Sequence, residues 1–391
     1  MALAGQKAAV IGAGIGGLAA ALALAKRGAR VQVFEQAAEL GEVGAGLQIS
    51  ANGVAVLQAL DLDPLAGNTG NMPYQLEMRD YKTGSQIVSL PLNQAADMPF
   101  LQLHRADLLT SLAEGCQQAG VQFHFGQACE VVNAEQGVLS SAPGQNFDVV
   151  VAADGVRSVC RKAHFAGQKP KYTGQAAWRG LVPSSDFPDS AGQEGTRIYL
   201  GPGRHIVIYP LRGRSLINIV AVEERSDWTS EGWNQTDSTS SLQAAFAGWC
   251  PYVSDLLSHV KDPLLWGFFA HPELPNWSNG RVALLGDAAH PMLPYMAQGA
   301  CMGLEDAWVL AATLDREDDI EQGLLSYERL RKPRATKVQK TSFGNAQIYH
   351  ASNPLVRLGL HTGMGLAGRI APGLLTARYD WIYSLDVTKA A

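Results

Sequence analysis

Three glycines, Gly12, Gly14 and Gly17, follow the apolar run Ala8-Ala-Val-Ile11 at the spacing GxGxxG and lead into small residues from Ile15 to Ala25. Each position answers a chemical need. The first allows a tight turn, the second lets backbone approach a pyrophosphate, and the third lets a helix pack close against a strand. Unpaired N–H groups at the helix start, from Ile15 onward, then face the phosphates. Glu35 ends the next strand, Arg30-Val-Gln-Val-Phe34, where a carboxylate accepts from a ribose hydroxyl. The constellation predicts a bound dinucleotide, nicotinamide or flavin, against the plainer alternative of a structural glycine turn.

Two later apolar strands end in short acidic turns. One runs from Phe147 to Asp154-Gly155 and the other from Gly280 to Gly286-Asp287. After the second come His290, Pro291, the stretch Pro294-Tyr-Met-Ala297-Gln298-Gly299-Ala300 and a helical run from Leu304. Singly, each is an ordinary strand-end turn. In order with GxGxxG, and with Arg105 in Leu103-His-Arg-Ala-Asp-Leu108, they resemble the class A flavin aromatic monooxygenases over roughly Ala8 to Asp386. The resemblance implies tightly but non-covalently bound FAD, with Asp287 at the ribitol and Asp154 and Gly155 near the pyrophosphate and NAD(P)H. Arg105 and Gly286 are further implied contacts, and Gly46, Leu47 and Pro294 complete the set, with Gly44 in the same loop as Gly46. The helix after Gly299 and Ala300 would aim its positive end at the flavin N1–C2=O edge, stabilising the reduced ring. Where the family usually has GQG this chain has Ala297-Gln298-Gly299, as in the branch of gentisate-forming hydroxybenzoate hydroxylases and hydroxynicotinate hydroxylases.

These motifs need a frame. A strand, a glycine turn, a helix ending at Gly28 and a second strand make a βαβ opening. The same stretch has a rival reading, because Ala8 to Ala25 is 18 residues without a charge, flanked by Lys7 and Lys26-Arg27. Its four glycines and the strand that follows at once argue against a signal peptide or membrane span. Further on, Thr196–Leu200, His205–Tyr209 and Leu216–Val222 alternate in polarity between Gly/Pro/Arg turns, as in an antiparallel sheet. Tyr74 to Leu92 reads as a hairpin turning at Lys82-Thr-Gly84. The expected fold is α/β (α+β overall): a Rossmann-type FAD-binding domain from residues 1–73, 99–171 and 271–350, and an interleaved antiparallel-sheet substrate domain from 74–98 and 172–270. A helical C-terminal tail, 351–391, follows a helix that kinks at Pro333 and turns Arg329, Arg331, Lys332, Arg334, Lys337 and Lys340 to solvent.

His205 and Tyr209 lie four apart on one strand and so face the same way. The resemblance puts this pair in the substrate pocket. His205 is then a base titrating near neutrality that removes a phenolic proton, Tyr209 orients the ring, and Gln298 reaches it from the flavin side. Simple packing against the sheet is the alternative. Arg212 and Arg214 sit in a turn, able to bind a carboxylate but expected to face solvent, while His104 and His290 read as structural. Cys301 reads as small and buried rather than reactive.

The 391 residues are 47% hydrophobic and carry 31 Lys+Arg against 36 Asp+Glu, a net charge of −5, which excludes a disordered chain and argues against a nucleic-acid partner. Five cysteines without CxxC or metal-ligand spacing predict no disulfide framework, no metal site and a reducing, cytoplasmic setting. Glycine, at 41 residues, exceeds its usual share and partly traces the cofactor. The resemblance implies a monooxygenase that hydroxylates a hydroxy-substituted, carboxylated aromatic or N-heteroaromatic ring. It would use FAD, NADH or NADPH, and O2 by way of a flavin C4a hydroperoxide, and a homodimer is left open. A larger polycyclic or isoprenoid substrate, or a non-catalytic flavin-binding protein, are the other readings. Intact Asp154, Asp287 and Gly299 argue against the last, and a plain NAD dehydrogenase would need neither Gly286-Asp287 nor Arg105.

Overall fold

Ala8–Ile11 and Val149–Ala152 are apolar at every position, the pattern of parallel strands covered on both faces. In the computed structural model, which describes residues 2–41, 46–63, 70–92, 99–165, 169–187, 195–228 and 235–389, they lie side by side. Gly44 and residues 93–98 of the hairpin segment lie outside the described residues. The six-stranded sheet has the order Ser278–Asn279, Val282–Leu284, Val149–Ala152, Lys7–Ile11, Arg30–Phe34, Gln122–His124, and is parallel except at its Ser278–Asn279 edge.

The helix Ile15–Ala25 is apolar all round because protein surrounds it. It packs between this sheet and the helix Gly299–Arg316, and a Cβ on Gly303 would sit 3.5 Å from the Gly16 Cα. The uncharged N-terminal run is therefore core. Among the described residues no helix is long and apolar enough to cross a membrane.

An eight-stranded sheet combines two separated stretches of chain. Its order is Gln235–Thr236, Leu264–Ala270, Lys171–Pro183, Leu216–Glu224, Arg204–Leu211, Thr196–Gly201, Gln75–Asp80, Gln86–Pro91. One seam departs from the antiparallel expectation, since Thr196–Gly201 and Gln75–Asp80 run parallel. The hairpin arrives from a distant part of the chain, so no tight turn forces an antiparallel neighbour. One face of the sheet, including Trp178, Ile206, Ile208 and Ile219, packs under the helices Thr239–Ala245 and Pro251–Ser258. The opposite face is left to build a site.

The helix Ile320–Tyr349 stays helical through Pro333. Beyond it lie Pro354–Ile370, Pro372–Ala377 and Asp380–Tyr383. Arg334 donates to the carbonyls of Trp381 and Ile382 at 2.7 and 2.8 Å, which docks the end of the tail back onto the core.

Candidate active site

A cleft of about 350 Å³ runs from the glycine turn to the open face of the eight-stranded sheet. Gly14, Ile15, Gly17, Gly46, Leu47, Arg105 and Gly155 border it on one side, and Gly286, Asp287, Pro294, Gly299 and Ala300 on another. Gly12, Glu35 and Asp154 stand behind this lining. Gly12 takes φ +101°, and a Cβ there would lie 2.5 Å from the Ala153 carbonyl oxygen. Glu35 accepts from the N–H of Ala13 at 2.8 Å and of Ala37 at 2.9 Å, bracing the turn. Asp154 Oδ2 accepts from the N–H of Val159 and Cys160 at 2.8 and 3.2 Å, while its Oδ1 is buried with no hydrogen-bond partner among the described residues, as is Arg105 Nε.

Arg161, which the sequence reading passed over, donates to the carbonyls of Asp287 and Ala288 at 3.1 and 2.9 Å and holds the second acidic turn in place. The Asp287 side chain opens into the cleft and is exposed there, with surrounding protein crowding its carboxyl. Burial pushes its carboxyl up, and His290, Arg105 and Arg161 pull it back. Ala297, standing where the family has glycine, adopts a left-handed φ of +51° at a strain of about 1 kcal/mol. That turn releases the chain into Gly299–Arg316, whose N-terminus carries no side-chain cap and meets the cleft.

Gln298 does not reach across toward a ring. Its Oε1 accepts from Asn52 at 2.9 Å and its Nε2 donates to Ser50 at 2.8 Å, so both ends of the amide are used beneath the cleft. The expected solvated face of the long helix holds for the exposed Arg329, Lys337 and Lys340 but not for Arg331 and Arg334. Arg331 is buried, donating to Glu305 and Asp306 at 2.5 and 2.7 Å, and Arg334 holds Glu305 at 2.7 Å. Two adjacent acids inside an otherwise apolar helix were the signal for buried cations. Arg212 is paired as well, gripping Asp107 through two bonds of 3.0 and 2.7 Å. Cys301 is buried, and burial pushes its thiol up to about 11.

Alternate residues of the eight-stranded sheet form the remaining wall: His205, Val207 and Tyr209 on one strand, with Val220, Val222 and Arg179 on the next two. Tyr209 lies so near Gly46 that a Cβ there would sit 2.9 Å from the phenolic oxygen. Arg179 belongs to no sequence motif, and its one signal is a lone cation within the apolar run Ala176-Ala-Trp-Arg179-Gly-Leu-Val. Its guanidinium stacks 4.2 Å from the Trp266 ring centre. Burial lowers its pKa to about 10, with nearby Tyr209 acting the other way, so it remains charged at neutral pH.

His205 is 3% exposed, and its Nδ1 lies 2.8 Å from Nε2 of His350, the residue capping the long helix. It does not titrate near neutrality as the sequence reading expected. Burial and the adjoining His350 hold it well below 6.5, and burial alone pushes His350 down to about 4. Both rings stay neutral in the folded protein. The unfolded chain therefore binds more protons between about pH 6.5 and about pH 4, and stability falls on acidification through that window by about 1.4 kcal/mol per unit for each histidine. The denaturant midpoint is expected to drop between about pH 7.5 and about pH 5 and to drop less in His350→Gln; equal midpoints would contradict this.

Fold and cleft together define a dinucleotide-binding oxidoreductase with a second sheet closing over the reactive end. The residues present fit FAD: the helix start at Gly14 is uncapped, a Cβ on Gly14 would meet nothing within 4 Å, and Arg105 Nε and Asp154 Oδ1 await partners. A model described as an FAD binding domain matches residues 6–342. The chain is 34% identical to the 3-hydroxybenzoate 6-hydroxylase of Polaromonas naphthalenivorans (strain CJ2), over 97% of this chain and 96% of that one. A salicylate hydroxylase substrate complex superposes with a TM-score of 0.81 at 30% identity, covering 99% of this chain and 97% of the other. Klebsiella pneumoniae HpxO complexed with FAD and uric acid gives 0.80 at 25% identity, over 94% and 95%. The chain belongs to the FAD-binding family of class A flavoprotein monooxygenases, and its cofactor is FAD.

Proposed function

We propose that this enzyme hydroxylates a small ring that carries a hydroxyl and a carboxylate, held between FAD and the open sheet face. One observation carries the reading: Arg179, His205 and Tyr209 share a single sheet face that fronts the cleft opposite the glycine turn. The relatives point the same way, since their names specify 3-hydroxybenzoate and salicylate. Bound FAD, reduced by NADH or NADPH, supplies the oxygen-transfer chemistry with O2. The N–H groups at Gly14–Ile15 would hold its pyrophosphate, Glu35 its adenosine ribose, Asp287 its ribityl chain with Arg105 a further contact, and the helix start at Gly299–Ala300 its ring.

The chain's own work is positioning and proton handling. A half-buried guanidinium fixed over Trp266 suits a planar carboxylate. Tyr209 donates to the bound ring or its substituent. Since His350 occupies Nδ1 of His205, Nε2 is the nitrogen left for the substrate hydroxyl. Removing that proton makes the ring carbons ortho and para to the oxygen nucleophilic. The apolar walls from Val207, Val220 and Phe268 keep water from the reacting atoms. All five cysteines are free, which supports a cytoplasmic setting.

The test is a screen of hydroxybenzoates, salicylate and hydroxypyridine carboxylates for stimulated NAD(P)H oxidation with hydroxylated product, followed by Arg179→Met. Losing a charged hydrogen bond is expected to raise KM for the carboxylated substrate by roughly 10- to 100-fold. The matching phenol without a carboxylate should be little affected. Equal effects on both compounds would remove Arg179 from this role, and no product from any hydroxy acid would remove the reading itself.

A further inference from the structure

His205 faces the cleft with one nitrogen and has the other bonded to a second buried histidine. A base with a depressed pKa is a poor place to keep a proton, so the path beyond it matters. Nε2 of His350 lies 2.8 Å from His205 Nδ1, and Nδ1 of His350 lies 3.5 Å from Oε1 of Glu224. The His350 side chain is 2% exposed and that of Glu224 53% exposed. Three side chains therefore connect the floor of the cleft to bulk water. The rings of Tyr295 and Tyr349 wall His205, with centroids 5.5 and 5.2 Å away.

A fourth residue gives the path a direction. Gln175 Oε1 accepts from the Tyr295 hydroxyl at 2.7 Å, which orients its amide nitrogen toward His350 Nδ1 at 3.3 Å. His350 Nδ1 thus has two neighbours of opposite need. When it carries a proton, the Glu224 carboxylate 3.5 Å away is the acceptor within reach, and when bare it accepts from Gln175.

We propose that His205, His350 and Glu224 form a relay that carries the substrate's hydroxyl proton out of the closed site to the surface. This rests on the reading of the cleft as the site of a hydroxy-aromatic substrate. At the start, His205 and His350 each carry hydrogen on Nδ1. The substrate O–H breaks as its proton passes to His205 Nε2. The Nδ1 proton of His205 passes to His350 Nε2, and that of His350 Nδ1 passes to the Glu224 carboxylate and thence to water. Three bonds to hydrogen break, three form, and neither ring becomes a lasting cation. At the end His205 Nε2–H donates to the substrate oxyanion, His350 Nε2–H donates to His205 Nδ1, and the Gln175 amide donates to the bare His350 Nδ1. The same steps in reverse return a proton to the product oxygen. His350 and Glu224 are positioning residues, since neither touches the substrate.

The experiment mixes oxidised holoenzyme with 3-hydroxybenzoate, and separately with salicylate, in weak buffer containing phenol red. Flavin absorbance reports binding, phenolate absorbance reports ionisation, and the dye reports the proton reaching solvent. In the wild type, dye response is expected to follow binding without delay. In His350→Gln, binding should persist while phenolate formation and proton release slow at least tenfold. Imidazole added to His350→Ala should restore the rate. Glu224→Gln, altered only at the exit, should slow release by a few-fold. Unchanged release in His350→Gln and Glu224→Gln, with binding intact, would overturn the relay and leave the substrate reading standing. Failure of both acids to perturb the wild-type flavin, or binding without phenolate, would overturn the substrate reading and the relay with it.

Discussion

Gly14→Val is expected to fold with wild-type stability and to lose FAD affinity at least a hundredfold, whereas Gly17→Val is expected to yield little folded protein. The two residues sit three apart in one turn, yet they are glycine for different reasons. A Cβ on Gly17 would lie 2.0 Å from the Gly12 carbonyl oxygen, and backbone on both sides prevents relief. A clash of that kind exceeds the few kcal/mol that single substitutions usually cost. Gly14 has an ordinary φ of −74°, and a Cβ there would meet nothing within 4 Å. Neither conformation nor packing requires glycine at that position. On the proposed seating of FAD, what requires it is the approach of the pyrophosphate to backbone N–H groups, through space that a valine side chain would occupy. Thermal unfolding of the apoprotein and fluorescence titration with FAD separate the two effects. A Gly14→Val protein that binds FAD normally would show that the cofactor does not approach there.

Arg331→Met carries the second large effect, a loss of about 3–5 kcal/mol of stability. The guanidinium lies between Glu305 and Asp306, both 0% exposed, donating at 2.5 and 2.7 Å. Arg334 still compensates Glu305, but Asp306 is left with His290 and the Gly286 N–H. In the wild type, burial pushes the Asp306 carboxyl up, but His290 and Arg331 more than offset it and hold it at about 2, below its unfolded range. That contribution is present above about pH 4 and disappears as pH falls toward 2. Without Arg331 the folded-state pKa of Asp306 rises, so the variant's deficit should be largest at neutral pH and shrink as pH falls below about 4. Because Asp306 also holds Gly286 at 3.1 Å, FAD affinity should fall alongside stability. Denaturant melts at two pH values check this, and a change below about 1 kcal/mol would mean that the network relaxes around the gap.

The cofactor half of the site was legible in the sequence for a physical reason. Phosphate binding by backbone needs glycines, a strand end and a helix start within a few consecutive residues, so the whole requirement is written locally at 12–17. The turns at Asp154-Gly155 and Gly286-Asp287 are local too, although their shared cleft is not. The substrate half was only partly legible. Strand alternation put His205 and Tyr209 on one face, but it could not say that a guanidinium from another strand, Arg179, joins them there. Gln298 misled because an amide beside the helix start looks free to reach a ligand until Ser50 and Asn52, far away in sequence, are seen to hold both of its ends. The basic residues of the long helix misled in the same way, since periodicity cannot reveal that Arg331 and Arg334 face buried acids.

By itself, the sequence determined that this chain builds a βαβ dinucleotide crevice of the flavin monooxygenase kind, with a second sheet interleaved into it. Those properties follow from hydrophobic periodicity and from backbone conformations open to only a few residue types, and both are expressed over short stretches. The tertiary structure alone decided the protonation of the reactive groups. His205 is neutral because it is buried against a partner 145 positions away, and Asp306 is ionised because of partners 16 and 25 positions away. A side chain's charge state depends on how much water and which opposing groups surround it, and that environment does not exist until the chain has folded.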